Sequence, residues 1–151
     1  EEIRRELQEG GYLRPDTDRK RMKQAKLPPM RFESTDGYPI YVGRNNRQND
    51  KLTFRLARKD DIWCHASKVH GSHVIISCGG TTPPDDTVTQ AAQLAAYYAE
   101  TGGGQNIPVD VTAVKQVKKI PNGKPGMVIY DPYPTAVVTP DTKLVETLRE
   151  G

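Results

Sequence analysis

The sequence predicts an α+β fold, a mostly antiparallel or mixed β-sheet packed with two or three helices. Three observations carry this. Thr87 to Glu100 shows helical periodicity, with Val88, Ala91, Ala92, Leu94, Ala95 and Tyr98 on one apolar stripe behind the start signal Pro83-Pro84-Asp85-Asp86. Around it lie several short strand-like runs punctuated by turns, in a chain with 12 prolines and 13 glycines. These runs do not alternate with helices as the βαβ units of a parallel sheet would.

Taken in order, the opening Glu1 to Gly11 reads as the last turns of a longer helix, with Ile3 and Leu7 at i,i+4 and Gly10-Gly11 as its stop. A basic connector follows and ends at Pro28-Pro29, so residues 1–28 are set apart as helix end and linker, and residues 29–151 as the folded domain. Met30 to Ser34 and Tyr38 to Val42 flank Asp36-Gly37, which suits a type I′ hairpin. Eight consecutive polar residues, Arg44 to Lys51, precede Leu52 and Leu56 at i,i+4. Asn45 with Gln48 resembles a capping box, which predicts a helix over about residues 46–57, although the alternation of Leu52, Phe54 and Leu56 also permits a strand. Asp61 to Ala66 and His73 to Cys78 form two strands joined by a turn at Lys68–Gly71. After the helix, stopped by Gly102–Gly104, come strands at Val109 to Val117, Met127 to Tyr130 and Thr135 to Val138, with turns at Pro121–Gly126 and Asp131–Pro134.

At 151 residues the chain is large enough to bury one core without metal or disulfide staples. No apolar run approaches the roughly 20 residues that span a bilayer, and the N-terminal sequence resembles neither a signal nor a transit peptide. Two cysteines, Cys64 and Cys78, suit a reducing compartment, and the expected location is the cytoplasm. The net charge of +3 hides an uneven distribution: residues 1–13 net −2, residues 14–59 net +8, and residues 60–151 net −3. A basic first half on an otherwise acidic chain is the footprint of a phosphate-facing surface, or of a solvated linker.

On a strand, Asp61, Trp63 and His65 project to one side and Ile62, Cys64 and Ala66 to the other. The second set is the natural core face. The only tryptophan is therefore expected on a polar face, where an exposed indole offers an unpaired base a stacking surface worth about 1–3 kcal/mol. The alternative is that the helix covers this face, making Trp63 a core anchor and Asp61–His65 a buried hydrogen bond. In the polar run, Arg44 and Arg47 can grip phosphate, while Asn45, Asn46, Gln48 and Asn49 can address base edges or sugars; the same residues also serve as an elaborate helix cap. Lys115, Lys118 and Lys119 extend a phosphate track or guard an edge strand.

His65, His70 and His73 near Cys64 raise a zinc site, but Cys64 and His65 face opposite ways and no second ligand pair follows, so no metal is expected. Adjacent strand residues cannot form a Cys/His nucleophile pair, and Gly71-Ser72-His73 lacks the flanks of a nucleophile elbow. No catalytic residue and no cofactor are expected.

Read together, Arg31-Phe32, Asp36-Gly37, Tyr41 to Asn46, Gln48-Asn49-Asp50, Leu52-Thr53, Asp61-Ile62-Trp63-Cys64-His65, Gly71 to Ile76, Leu94 to Tyr98, Lys118-Lys119 and Pro125 to Tyr130 resemble the NFACT-R domain of the ribosome quality-control proteins of the RqcH and NEMF family. The resemblance covers about residues 30–138, and the opening segment is similar to the end of the coiled coil that precedes this domain. It implies a non-catalytic RNA-binding module acting on obstructed large ribosomal subunits, where family members hold tRNA and direct template-free C-terminal tailing, with alanine in bacteria. It also implies that Asp61, Trp63 and His65 match the family's functional DxWxH motif, Cys64 standing where relatives more often carry an aromatic residue. The RNA-contacting set expected on these grounds is Arg44, Asn45, Asn46, Arg47, Gln48, Asn49, Asp61, Trp63, His65, Ser72, His73, Lys115, Lys118 and Lys119. Without the NFACT-N domain and the coiled coil, the chain alone is expected to bind RNA weakly and to perform no tailing. Bacterial relatives are also described as fibronectin-binding adhesins, so a protein-binding role at the cell surface is the alternative.

Overall fold

The computed structural model describes residues 27–100, 104–130 and 135–149. The expected leading helix, the basic connector and the turn at Asp131–Pro134 lie outside these residues.

β1 (Met30–Glu33) and β2 (Pro39–Val42) pair antiparallel, with Phe32 opposite Ile40. Their connection differs from the type I′ turn expected, which needs two residues at positive φ. Here Gly37 takes φ +89° while Asp36 stays negative, and Ser34 accepts from Gly37 N–H at 2.9 Å. Ser34 Oγ also accepts from Tyr38 N–H and lies 2.9 Å from Thr87 Oγ1, so the serine hydroxyl organises the turn and ties it to the long helix.

The polar run becomes α1 (Asn46–Lys51), which continues into a π-helical turn at Leu52–Leu56. Asn45 Oδ1 accepts from Gln48 N–H at 2.9 Å, one half of the predicted capping box; the other half shifts by one residue, Gln48 Oε1 accepting from Arg44 N–H. Ala57 N–H reaches Leu52 C=O at 2.8 Å, five residues back, and this widened turn rules out the strand alternative.

β3 (Ile62–Ala66), β4 (Val74–Ile76), β5 (Ile107–Ala113) and β8 (Thr135–Val138) complete a six-stranded antiparallel sheet in the order β1-β2-β4-β3-β5-β8. β6 (Lys118–Lys119) and β7 (Val128–Ile129) form a separate hairpin. The strand expected to run to Val117 stops at Ala113: Val114 N–H still bonds Asp61 C=O, its partner in register, but Val117 N–H bonds back to Val114 C=O and closes a 3-10 turn at Val114–Gln116. α2 (Asp85–Tyr97) begins with two aspartates in its first turn, favourable to the helix dipole. It ends before Glu100 because Glu100 N–H bonds His70 C=O at 2.8 Å and Ala99 bridges Gly71, so the chain leaves the helix to hold the β3–β4 turn. α3 (Thr142–Leu148), capped by Asp141, is a short helix with no sequence expectation behind it.

The sheet is covered on both faces. On one, α2 and α3 pack Ala91, Ala92, Leu94, Ala95, Val145 and Leu148 against Ile40, Val42, Cys64, Val74 and Ile76. On the other, Leu52 from the π turn and Val114 and Val117 from the arm leading to the hairpin pack against Trp63 and Ile75, with Tyr41, Phe54, Val128 and Tyr130 alongside. The alternation along β3 is as expected, but its consequence is corrected. Trp63 is 0% exposed and is not an outward platform. What seals it is the π turn and hairpin arm; α2 lies on the opposite face. No helix among the described residues is long and apolar enough to cross a membrane.

Candidate nucleic-acid interface

Trp63 sits within an aromatic block. His65 lies parallel to it at 5.5 Å, while His73 at 5.2 Å and Tyr130 at 4.5 Å meet it edge-on. The indole Nε1 is buried with no hydrogen-bond partner among the described residues, and so is His65 Nδ1. Asp61, also expected on an outward face, is 3% exposed. Its carboxylate accepts backbone N–H bonds from Arg58, Cys78 and Gly79 at 2.9–3.1 Å, fixing the loops at the base of β3. A buried Asp61–His65 bond is therefore not how this acid is used.

His73 is fully buried. Its Nε2 lies 3.0 Å from Gly126 C=O, which can only accept, so this nitrogen carries the proton and Nδ1 accepts from Thr53 Oγ1 at 2.7 Å. One imidazole thus fastens the π turn and the β6–β7 hairpin to the start of β4. Burial, then the neighbouring His65, push its pKa down to about 4. Burial also lowers His65, with the backbone at Ala66 and Gly71 and the Asp110 charge opposing. Both rings are neutral at pH 7. Tyr130 donates to Asp110 Oδ2 at 2.7 Å, and burial with that contact raises its phenol.

In front of this block, a cleft of about 490 Å³ opens between the β3–β4 turn and the β6–β7 hairpin. His65, His73 and Tyr130 form its inner side, Lys68 and His70 one rim, Lys124 and Met127 the other, and Asn46 reaches it from α1. No carboxylate is among the described residues that line it.

The structure divides the expected site residues. Gln48 and Asn49 are buried and structural. Gln48 accepts from Arg44 N–H at 2.6 Å and donates to Leu27 C=O at 2.7 Å. Asn49 Oδ1 accepts from His73 N–H, and a side chain on Gly43 would collide with it. Arg44, half-buried, donates from Nε to Pro28 C=O at 2.8 Å, and Asn45 is the cap. Asn46 and Arg47 are exposed; Ser72 is half-buried between the turn and His73. Lys115, Lys118 and Lys119 are exposed, Lys119 pairing with Asp50 at 2.9 Å and lying over the Phe54 ring. The polar run, the hairpin and the start of β4, which pairs with the DxWxH strand, thus meet around one cleft, through Asn49–His73, Asp50–Lys119 and His73–Gly126.

Lys68 and Lys124 escaped the sequence reading because isolated lysines in turns carry no periodic signal; Lys68 at φ +62° hints at a shaped turn only once the backbone is known. Cys64 is sealed on the opposite face, its thiol pushed up to about 12 by burial. Among the described residues, no group of three His, Cys, Asp or Glu side chains is placed to hold a metal.

Residues 29–130 match the family described as the NFACT protein RNA binding domain. The chain is 46% identical over 153 aligned residues to the Rqc2 homolog RqcH of Bacillus subtilis, and 43% identical to that of Streptococcus pneumoniae, each match covering 99% of this chain. It spans about a quarter of the length of these relatives, 26% and 27%. Its fold matches that of the C-terminal part of the fibronectin/fibrinogen-binding protein of Streptococcus suis with a TM-score of 0.79 and 39% identity, covering 83% of this chain and 50% of that one. With the antiparallel sheet, the DxWxH strand and the asparagine-rich helix in place, the chain belongs to the NFACT RNA-binding domain family.

Proposed function

We propose that this domain is the RNA-contacting module of a cytoplasmic ribosome quality-control protein, one that holds tRNA on obstructed large ribosomal subunits and supports template-free alanine tailing. The observation that carries the reading is the cleft, a lysine-rimmed opening at the end of the DxWxH strand with no carboxylate among its described lining residues. Lysines around a polar concavity supply the phosphate attraction on which RNA affinity rests. In this reading His65, Asn46, Arg47, Lys115 and Lys118 contact RNA, while Trp63, Asp61, Gln48, Asn49 and His73 hold the contacting groups in place. The module performs no chemistry of its own, and peptide-bond formation belongs to the ribosome.

The test is titration of the chain with tRNA and, separately, with fibronectin at two salt concentrations. Binding to tRNA that weakens steeply with salt is expected, since each phosphate contact releases counterions. Fibronectin binding that is indifferent to salt, with no tRNA binding at low salt, would replace the RNA assignment by an adhesive one.

A further inference from the structure

We infer that the cleft takes one unpaired nucleotide of an RNA strand, its base continuing the Trp63–His65 stack and its phosphates meeting Lys68 and Lys124. The inference rests on the RNA-binding reading above and specifies what enters.

Size comes first. A volume of about 490 Å³ falls in the range of sites for small organic ligands and is far too small for a duplex. Stacked, paired bases present only their edges, so an opening of this kind is reached by a nucleotide splayed out of its strand. The lining is divided as such a ligand is divided. Val69 and Met127, 36% and 48% exposed, give apolar surface at the mouth, and the inner side is aromatic. Lys68 and Lys124 are exposed at the two rims, where a sugar-phosphate backbone would pass.

His65 lines the cleft; its Nδ1 is sealed from solvent, beside the backbone of Ala66 and Gly71, so what the ring offers a ligand is its face. The ring is flat against Trp63, 6° from parallel, so its orientation is set before any ligand arrives. Asp110, the acid nearest in effect to His65, has its oxygens engaged by Tyr130 Oη at 2.7 Å and Thr135 Oγ1 at 3.3 Å, which tempers its repulsion of phosphate.

The experiment is an NMR titration of the isotopically labelled chain, which detects weak binding, following the Trp63 indole N–H and the imidazole signals. Three probes are used: a short single-stranded oligouridylate, a blunt RNA duplex of equal length, and free uridine monophosphate. The strand should bind at least roughly tenfold more tightly than the duplex, the scale of one stacked base. It should shift the Trp63 and His65 signals. Val69→Trp, which fills the mouth from an exposed turn, and Lys124→Glu should each remove that preference while leaving the spectrum folded. Equal affinity for strand and duplex, or a preference untouched in both variants, overturns the single-nucleotide site and leaves RNA binding standing. Free nucleotide binding as tightly as the strand overturns the assignment to RNA, and silence with all three probes removes the RNA reading as well.

Discussion

The two faces of the central sheet are built from different materials. On the helix side, alanines and aliphatic residues of α2 and α3 close over Ile40, Val42, Cys64, Val74 and Ile76, an apolar interface that asks for little beyond volume. On the other side, Trp63 and Ile75 are sealed by a π turn and a hairpin arm, with His73, Thr53, Asn49 and Asp61 buried around them. That side also keeps Trp63 Nε1 and His65 Nδ1 without partners among the described residues, as α2 on the other side keeps Gln93 Oε1, each such atom costing about 1–3 kcal/mol. The first face holds the domain together, and the second holds a cleft in shape at some expense to stability.

The largest effect that can break this comparison is at the tryptophan. Trp63→Ala should cost about 3–5 kcal/mol in urea unfolding, since it empties the centre of the second core. Leu94→Ala in the helix-side core should cost about 2–5 kcal/mol. Stability alone does not separate them, and RNA affinity does. Trp63→Phe keeps a ring but alters the support of His65, so it should weaken RNA binding in a folded protein. Leu94→Ala should leave the affinity of the folded fraction unchanged. Equal effects of these two variants on affinity would erase the functional difference between the faces.

The second effect depends on pH. His73 titrates near 4 when folded against an ordinary 6.5. Between those values the unfolded chain binds the extra proton, so the contribution to stability is complete above pH 6.5 and is lost as the pH falls towards 4. The shift amounts to about 3 kcal/mol. The lowered pKa of His65 acts with the same sign. Unfolding free energies measured through this window should fall less steeply in His73→Asn than in the parent chain. Carboxylates titrate in both proteins and drop out of the difference. Parallel slopes would mean that His73 is already protonated in the folded domain.

Much of this architecture is legible in the sequence where one local rule acts alone. The capping pair Asn45–Gln48, the apolar stripe of α2 and the alternation along Asp61 to Ala66 each lead to the element observed. What alternation cannot tell is whether a second layer lies on the polar-looking face. That depended on Leu52, Val114, Val117 and Tyr130, distant in sequence and unremarkable singly. The same limit applies to the site. The histidines and the asparagine-rich run were visible, but which side chains are consumed in holding the backbone, as Gln48 and Asn49 are, emerges only from their partners. The end of α2 was misplaced because hydrogen bonds to the turn at His70–Gly71 compete with the helix.

The smallest effects on stability should come from the basic side chains, and they sharpen the comparison by separating grip from scaffold. Arg44 and Arg47 look equivalent in the sequence, but Arg44 donates to Pro28 C=O and Arg47 is exposed. Arg44→Ala should lower stability by about 0.5–1.5 kcal/mol through the lost hydrogen bond. Arg47→Ala and Lys118→Ala should each stay within about 0.5 kcal/mol of the parent. Binding should reverse that order. Each exposed cation removed should reduce the salt slope of RNA affinity by about 1, while Arg44→Ala should leave it nearly unchanged. A flattened slope in Arg44→Ala alone would place the phosphate contact at the half-buried arginine.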